Sequence, residues 1–525
     1  MRTSIVTILI AVAALGAAPA LAELQNVTVG GEVRIKTDII TNWIVDNAPV
    51  ELRIPAGFMP KRPIGDFILA NPIFNGLGVV SPYAWSKVND ANWTEQRTRL
   101  HVAADFTDGV GAFVELEAYN FWGDNFRSDY VTGADNRAGT NVTLYQAYIE
   151  AKEMYGLPLS LRVGRQELAF GSQWLVGPKD FGPNYTGRSF DALKLTYATD
   201  LFKVDAFASK LFEGGTVEQD GDVDFYGLYA SFLGIEDISI DAYWFLLRDA
   251  RRLSDTNLVW FGEWIENVLK LDDYDVSNLH TVGMRGAGKI GGFDFDAEVA
   301  YQFGDADSVG YHFKPFQYGD NRAEFDAWGC NLNLGYTFDI AMQPRLHLGY
   351  SFYQGADNRD LTFWEWLNPF HRPEASVSFN RLFSNKMASG FLDLMNDYSN
   401  GHIFVTDVMV HPTESVTVIA GLTYYLADEA FAEPYYVKLG RYHIPIMPSW
   451  SFWTKESSRD LGLQSDIIIV YAYSKDLTTS FHWCHLFTGD GLKDGNYNAW
   501  NGLMFDGGRE GKDGDFFSLE TCLKF

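Results

Sequence analysis

Apolar and polar residues alternate along most of the chain. From Phe293 to Phe303 the odd positions read Phe293, Phe295, Ala297, Val299, Tyr301 and Phe303, against Asp294, Asp296, Glu298, Ala300 and Gln302 at the even ones. A period of two belongs to extended chain with one apolar and one polar face. Phe517, Leu519, Thr521, Leu523 and Phe525 repeat it against Ser518, Glu520, Cys522 and Lys524, as do Val27, Val29, Val33 and Ile35 against Thr28, Glu32, Arg34 and Lys36. The pattern predicts strands near 27–40, 94–107, 111–121, 142–153, 159–170, 189–198, 201–213, 223–233, 238–249, 279–290, 292–304, 325–339, 343–354, 402–411, 415–426, 463–475, 478–488 and 515–525. Only near 402–411 does the phase stay ambiguous.

The connections alternate as well. Short turns such as Thr107-Asp108-Gly109-Val110-Gly111, Ala198-Thr199-Asp200, Ile290-Gly291-Gly292 and Pro412-Thr413-Glu414 take turns with long segments, among them 41–93, 250–278, 355–401, 427–462 and 489–514. A sandwich or solenoid has no reason to sort its loops by length. A membrane barrel does, with short periplasmic turns and long extracellular loops, and closure removes the strand edges that lipid cannot satisfy. The fold class expected is therefore all-β: a transmembrane, antiparallel, up-and-down barrel of about 18 strands. Trp244, Phe245, Tyr350, Phe352, Phe481 and Trp483 fit its aromatic girdles.

Residues 1–22 read as a signal peptide: Arg2, an apolar run from Ile5 to Ala18, then Ala20-Leu21-Ala22. Residues 23–525 form the barrel, and no later apolar stretch reaches the ~18–20 residues a spanning helix needs. This implies export to the outer membrane of a Gram-negative-type envelope, with lipid, lipopolysaccharide and the insertion machinery as partners.

Composition narrows the function classes. Lys and Arg number 41 against 68 Asp and Glu, a net charge of -27, which excludes a phosphate-gripping nucleic-acid binder. Apolar residues make up 47% and aromatics 15%, which excludes disorder. Cys330, Cys484 and Cys522 form no CxxC pair and read as small wall residues, none at metal-ligand spacing from a histidine. No cofactor or protein metal site is expected. The acidic runs Asp220-Gly221-Asp222, Asp272-Asp273 with Asp275, and Asp513-Gly514-Asp515 offer oxygens to divalent cations bridging lipopolysaccharide, although turn chemistry explains them more simply. Ser480, His482 and His485 are the one dense nucleophile–base cluster, but no GxSxG or HExxH motif accompanies them, so an enzyme is not expected.

Projecting the period sends one set of charges into the lumen. Arg34 and Lys36 on the first strand and Arg97 and Arg99 on the second form a basic patch, with Glu115 and Glu117 next door and Arg162, Lys194, Arg285 and Arg345 further round. Facing arginines and carboxylates either set a transverse field that orients solutes or hold the wall together as ion pairs. Sequence leaves both readings open.

Three segments, "WTEQRTRLHVAADFTDGVGAFVELEAYNFWGDN", "LYQAYIEAKEMYGLPLSLRVGRQELAFG" and "GRSFDALKLTY", occur in that order between about 93 and 200, with a weaker echo at 283–304. Together they resemble the bacterial alginate-export outer-membrane channel family. The resemblance implies an 18-stranded barrel that passes acidic polysaccharide through a basic constriction shaped by folded-in loops. It places candidate contacts at Arg97, Arg99, Arg162, Arg165, Arg188, Asp191 and Lys194. Where that family continues after "AFG" with an Arg-bearing loop, this chain reads Ser172-Gln173-Trp174-Leu175-Val176-Gly177. The expected function is a passive channel for small hydrophilic, anionic solutes. Acidic-polysaccharide export is the alternative, with an outer-membrane enzyme or a structural barrel behind it. The Pro-rich loop 41–93 is the expected constriction or lid.

Overall fold

The computed structural model describes residues 23–42, 90–123, 142–180, 185–214, 221–250, 276–306, 322–355, 374–387, 399–430, 458–492 and 513–525, with short isolated stretches between them. The signal peptide, most of the loop 41–93 and parts of the acidic runs lie outside the described residues.

Eighteen strands form the wall: β1 (Leu24–Thr41), β2 (Ala91–Phe106), β3 (Val110–Phe121), β4 (Val142–Ala151), β5 (Leu159–Gln166), β6 (Phe190–Ala198), β7 (Phe202–Phe212), β8 (Val223–Ile235), β9 (Ile238–Asp249), β10 (Ser277–Ile290), β11 (Phe293–Asp305), β12 (Arg322–Thr337), β13 (Arg345–Tyr353), β14 (Gly401–Thr413), β15 (Val416–Ala427), β16 (Asp460–Ala472), β17 (Leu477–Thr488) and β18 (Gly514–Lys524). Each pairs antiparallel with its sequence neighbours. The ladder closes where β1 pairs on one side with β2 (Arg34 opposite Arg97) and on the other with β18 (Arg34 opposite Cys522). The seam ends in reciprocal backbone bonds: Gly31 N donates to Phe525 O at 2.8 Å, and Phe525 N donates to Gly31 O at 3.0 Å. A short segment, Glu374–Val377, adds a parallel pairing to β12 from within the long connection between β13 and β14.

Burial confirms the two faces. On β2, Leu100 and Val102 are 46% and 41% exposed, whereas Arg97 and Arg99 are 1% and 7%. An exposed apolar row beside buried charges inverts the arrangement of a soluble sheet and suits a wall with lipid outside. Turns of two to seven residues, such as 236–237, 291–292 and 338–344, alternate with long connections around the barrel. In the turn 107–109 Asp108 and Gly109 both take positive φ, 61° and 71°, a conformation that Asp tolerates and Gly adopts freely.

Strand β14 shows why its phase is unreadable in sequence. Phe404 and Val408 face outward at 45% and 42% exposure, while Ile403, on the opposite face, is fully buried and Val405 packs against the buried cluster. Here the inner face is apolar too, because it packs against chain folded into the lumen rather than against water.

Deleting Leu523 to Phe525 removes the seam bonds to Gly31 and the pairing of Lys524 with Glu32. The fraction of heat-modifiable folded barrel is expected to fall severalfold, read as the mobility shift between boiled and unboiled protein. Wild-type levels in the truncation would show that the seam closes without its last residues.

Candidate functional site: two segments folded into the lumen

Eighteen strands about 4.8 Å apart and tilted near 40° enclose a barrel roughly 35 Å across between backbones. Side chains alone do not fill that width. Two inter-strand segments do part of it: the described residues of 167–189 (167–180 and 185–189), between β5 and β6, and 378–386, from the connection between β13 and β14. Their contacts reach strands far apart around the wall, which places both inside the barrel.

The two segments are bonded to each other. Val176 and Phe383 form a parallel bridge, in which Gly177 N donates to Phe383 O at 2.9 Å and Phe383 N to Leu175 O at 2.8 Å. Asn385 Nδ2 donates to Gln173 Oε1 at 2.6 Å, and Asp180 N donates to Asn385 Oδ1 at 2.8 Å. Apolar contact fixes one side of the pair. Phe170 stacks on Phe207 and Tyr229 with centroids 5.3 and 5.2 Å apart, and Phe383 meets Phe190 and Phe225 at 5.1 and 4.9 Å. Trp174, fully buried, lies against Phe379 and donates from Nε1 to Tyr353 Oη at 2.9 Å. Such aromatic pairs contribute about 0.5–1.5 kcal/mol each beyond the area they bury.

Polar latches hold the opposite side. Arg97 donates to Glu32 and Asp180 at 2.7 and 2.9 Å and to the Tyr185 carbonyl at 2.8 Å. Arg34 reaches the Asp180 carbonyl at 2.9 Å and pairs with Glu520 at 2.7 Å, its guanidinium 4.6 Å from the Tyr185 ring centroid. Arg99 pairs with Glu117 at 2.7 Å and reaches the Thr186 carbonyl at 3.3 Å. The next residue is Gly187 at φ 77°, where any Cβ would overlap Arg99, so the close approach requires glycine. Ser172 Oγ donates to Glu298 at 2.8 Å across the lumen from these arginines, and Gln302 exchanges two bonds of 2.7 Å with the Asn380 backbone.

Most of the remaining wall charges are paired too. Lys36 meets Asp38 at 2.8 Å, Arg162 meets Glu150 at 2.8 Å, Arg285 meets Asp241 and Asp296 at 2.7 and 2.8 Å, and Arg345 meets Asp294 at 2.5 Å. Glu115 accepts from Gln146 Nε2 at 2.9 Å. Arg165 and Asp191, expected in the pore, form a two-pronged pair at 2.8 Å on the other face of β5 and β6, since the inward positions there are Gln166, Phe190 and Ala192, all buried. The strand period decides this: Arg165 stands three residues from inward Arg162, an odd step.

Among the described residues, Arg188, Lys386 and Lys194 stand without an ion pair. Arg188 has no carboxylate partner, its Nη1 is buried without a hydrogen bond, and its guanidinium lies 5.3 Å from the Phe383 ring centroid. Burial lowers its pKa to about 10, still far above neutrality, so it carries a full charge. Lys386, on the second segment, is likewise shifted down by burial and makes no ion pair. Lys194 stands beside Arg162 on the inner wall. The carboxyl of Glu167, by contrast, is pushed up by burial while accepting from Tyr145 Oη at 2.5 Å.

Two features escape sequence reasoning. The segment 378–386 reads only as part of a long loop, yet Phe379 and Phe383 in supposedly water-exposed chain were the available signal. Cys484 and His482, two apart on β17, share the inner face, a spacing that does not read as a metal-ligand pair in sequence. His485, by the same period, faces the other way from His482, so the Ser480–His482–His485 cluster is split between faces.

A family model described as alginate export matches residues 85–505. The chain belongs to the alginate-export family. Solved structures similar to it include Acinetobacter baumannii OccAB3 (10% identity, 95% of this chain and 99% of that one, TM-score 0.47) and Pseudomonas aeruginosa OpdQ (10%, 95% and 98%, 0.46) and OccK8, also called OprE (12%, 95% and 98%, 0.46). No curated protein matches. Family membership and the closed barrel with its lipid-facing apolar wall make this an outer-membrane channel protein of the porin type.

Truncating Arg97 removes the ion pairs to Glu32 and Asp180 and the bond to the Tyr185 carbonyl, and leaves Asp180 only the longer approach of Arg99 Nη1 at 3.7 Å. Arg97→Ala is expected to free the 167–189 segment and raise single-channel conductance and its open-state noise in planar bilayers. Unchanged conductance with altered ion preference alone would return Arg97 to a direct role in selectivity.

Proposed function

We propose that this alginate-family barrel is a passive channel for small hydrophilic anions, its preference set by cations on the inward segments rather than by the wall arginines. The observation that carries this reading is the split in charge pairing. Each wall arginine described above is neutralised by a carboxylate at about hydrogen-bond distance, while Arg188 and Lys386 are not. Only charge within about a Debye length of the permeation path, roughly 10 Å at 0.1 M salt, acts on a passing ion. The net charge of -27 resides largely elsewhere and is a poor guide. A buried guanidinium lacking a counter-charge favours an anion that supplies one.

The family description favours a second reading, export of an acidic polysaccharide. A chain of carboxylates would use the same cations, and its passage requires that the two bridged segments part. On either reading residues 1–22 direct export.

Replacing Arg188 and Lys386 together by Gln is expected to lower the chloride-over-potassium permeability ratio severalfold in reversal-potential measurements. Arg165→Gln, on the outer face, is expected to leave it unchanged. Equal effects from both variants, or none from the first, would reject the proposal. Block of chloride current by oligomeric but not monomeric uronate would select the polysaccharide reading.

A further inference from the structure

We propose that the inner wall carries a transition-metal site formed by Asp466, His482 and Cys484. Asp466 on β16 stands opposite Cys484 on β17, and His482 follows two residues before it on the same face. Their carboxylate oxygen, imidazole nitrogen and thiol sulfur all lie within 4.8 Å of one another, with His482 Nε2 and Asp466 Oδ1 at 2.9 Å. Around a tetrahedral divalent ion with bonds of roughly 2.0–2.3 Å, ligand atoms stand about 3.3–3.8 Å apart, so side-chain rotation without backbone movement closes the set.

A second observation points the same way. Gln464, fully buried two residues from Asp466, donates from Nε2 to both Asp466 oxygens at 2.7 and 2.8 Å, while its own Oε1 is buried without a partner. It fixes the carboxylate as an outer-shell group does and leaves an acceptor at the site unsatisfied, ready for a metal-bound water. Leu461, Leu486 and Phe516 wall the cluster, all at or below 2% exposure, and the Phe516 ring packs edge-on to His482 at 5.4 Å. Asp466 and His482 keep 15% and 17% of their side chains exposed, which provides the entry.

One nitrogen, one sulfur and one oxygen suit a borderline ion such as Zn2+ over the hard Ca2+ or Mg2+, which take oxygen donors. Three protein ligands leave the fourth position for water or a lumenal anion. On binding, the Cys484 thiol gives one proton to solvent and the His482 proton moves from Nε2 to Nδ1, so that one proton leaves per ion. The proposal does not depend on which solute the channel passes.

The test uses the full-length barrel refolded in detergent, with Co2+ and Zn2+ chlorides as probes. One equivalent of Co2+ is expected to give a thiolate-to-cobalt charge-transfer band that Zn2+ displaces. The band should persist in Cys330→Ser/Cys522→Ser, vanish in Cys484→Ser, and require at least tenfold more metal in Asp466→Asn and His482→Gln. Heat-modifiable mobility checks that each variant is folded. Absence of the band in the folded wild type, or its persistence in folded Cys484→Ser, overturns the proposal. Should Cys484→Ser fail to fold, Asp466→Asn decides: unchanged metal affinity overturns it, and a tenfold loss supports it.

Discussion

Closure of the hydrogen-bond ladder between β1 and β18 is the constraint from which the rest of the molecule follows. In a bilayer no water satisfies an open strand edge, and each orphaned peptide group costs several kcal/mol. Closing eighteen strands fixes a width that side chains cannot fill. The lumen must then be partly filled by chain, and that chain must be tied to a wall already committed to hydrogen bonding its neighbours. Arginine suits the task because one guanidinium serves a carboxylate and a backbone carbonyl at once. Arg97 does so with Glu32, Asp180 and the Tyr185 carbonyl.

The wall and the inward segments therefore divide the work. Where the segments press on β6 to β9, the lumen face turns aromatic, with Phe225 in ring contact with Phe190, Phe207 and Phe245 and all four fully or nearly buried. Where they meet β1 to β4, the face is an ion-pair lattice. One contact is non-directional and the other directional, and together they fix both the depth and the rotation of the 167–189 segment.

This division also explains what could be read from sequence. Period two is a local property of extended chain, so strand number, faces and closure were legible, as was the family through "LRVGRQELAFG" and "GRSFDALKL". The function of an inward arginine was not legible, because it depends on partners such as Asp180 and Tyr185 in irregular chain with no period. The carry-over of Arg165 and Asp191 from the resemblance failed for a simpler reason: side chains an odd number of residues from Arg162 and Phe190 project to the other face. The segment 378–386 was missed because length alone does not distinguish a loop folded inward from one in solvent, although its phenylalanines did.

A lumen in which cations and carboxylates alternate invites the conclusion that its transverse field selects the solute. The pairing distances argue otherwise. An arginine with a carboxylate at 2.5–2.9 Å presents a dipole to a passing ion, and the field of a dipole fades with distance faster than that of a lone charge. On the proposed reading a single guanidinium without a carboxylate partner, such as Arg188, outweighs several neutralised ones near the path, especially where burial removes the water that would screen it. Its environment also discourages a structural explanation: it packs over an aromatic ring, bonds no carboxylate, and has one terminal nitrogen left without a partner. Such an arrangement costs folding free energy, a cost that the anion site proposed here would account for.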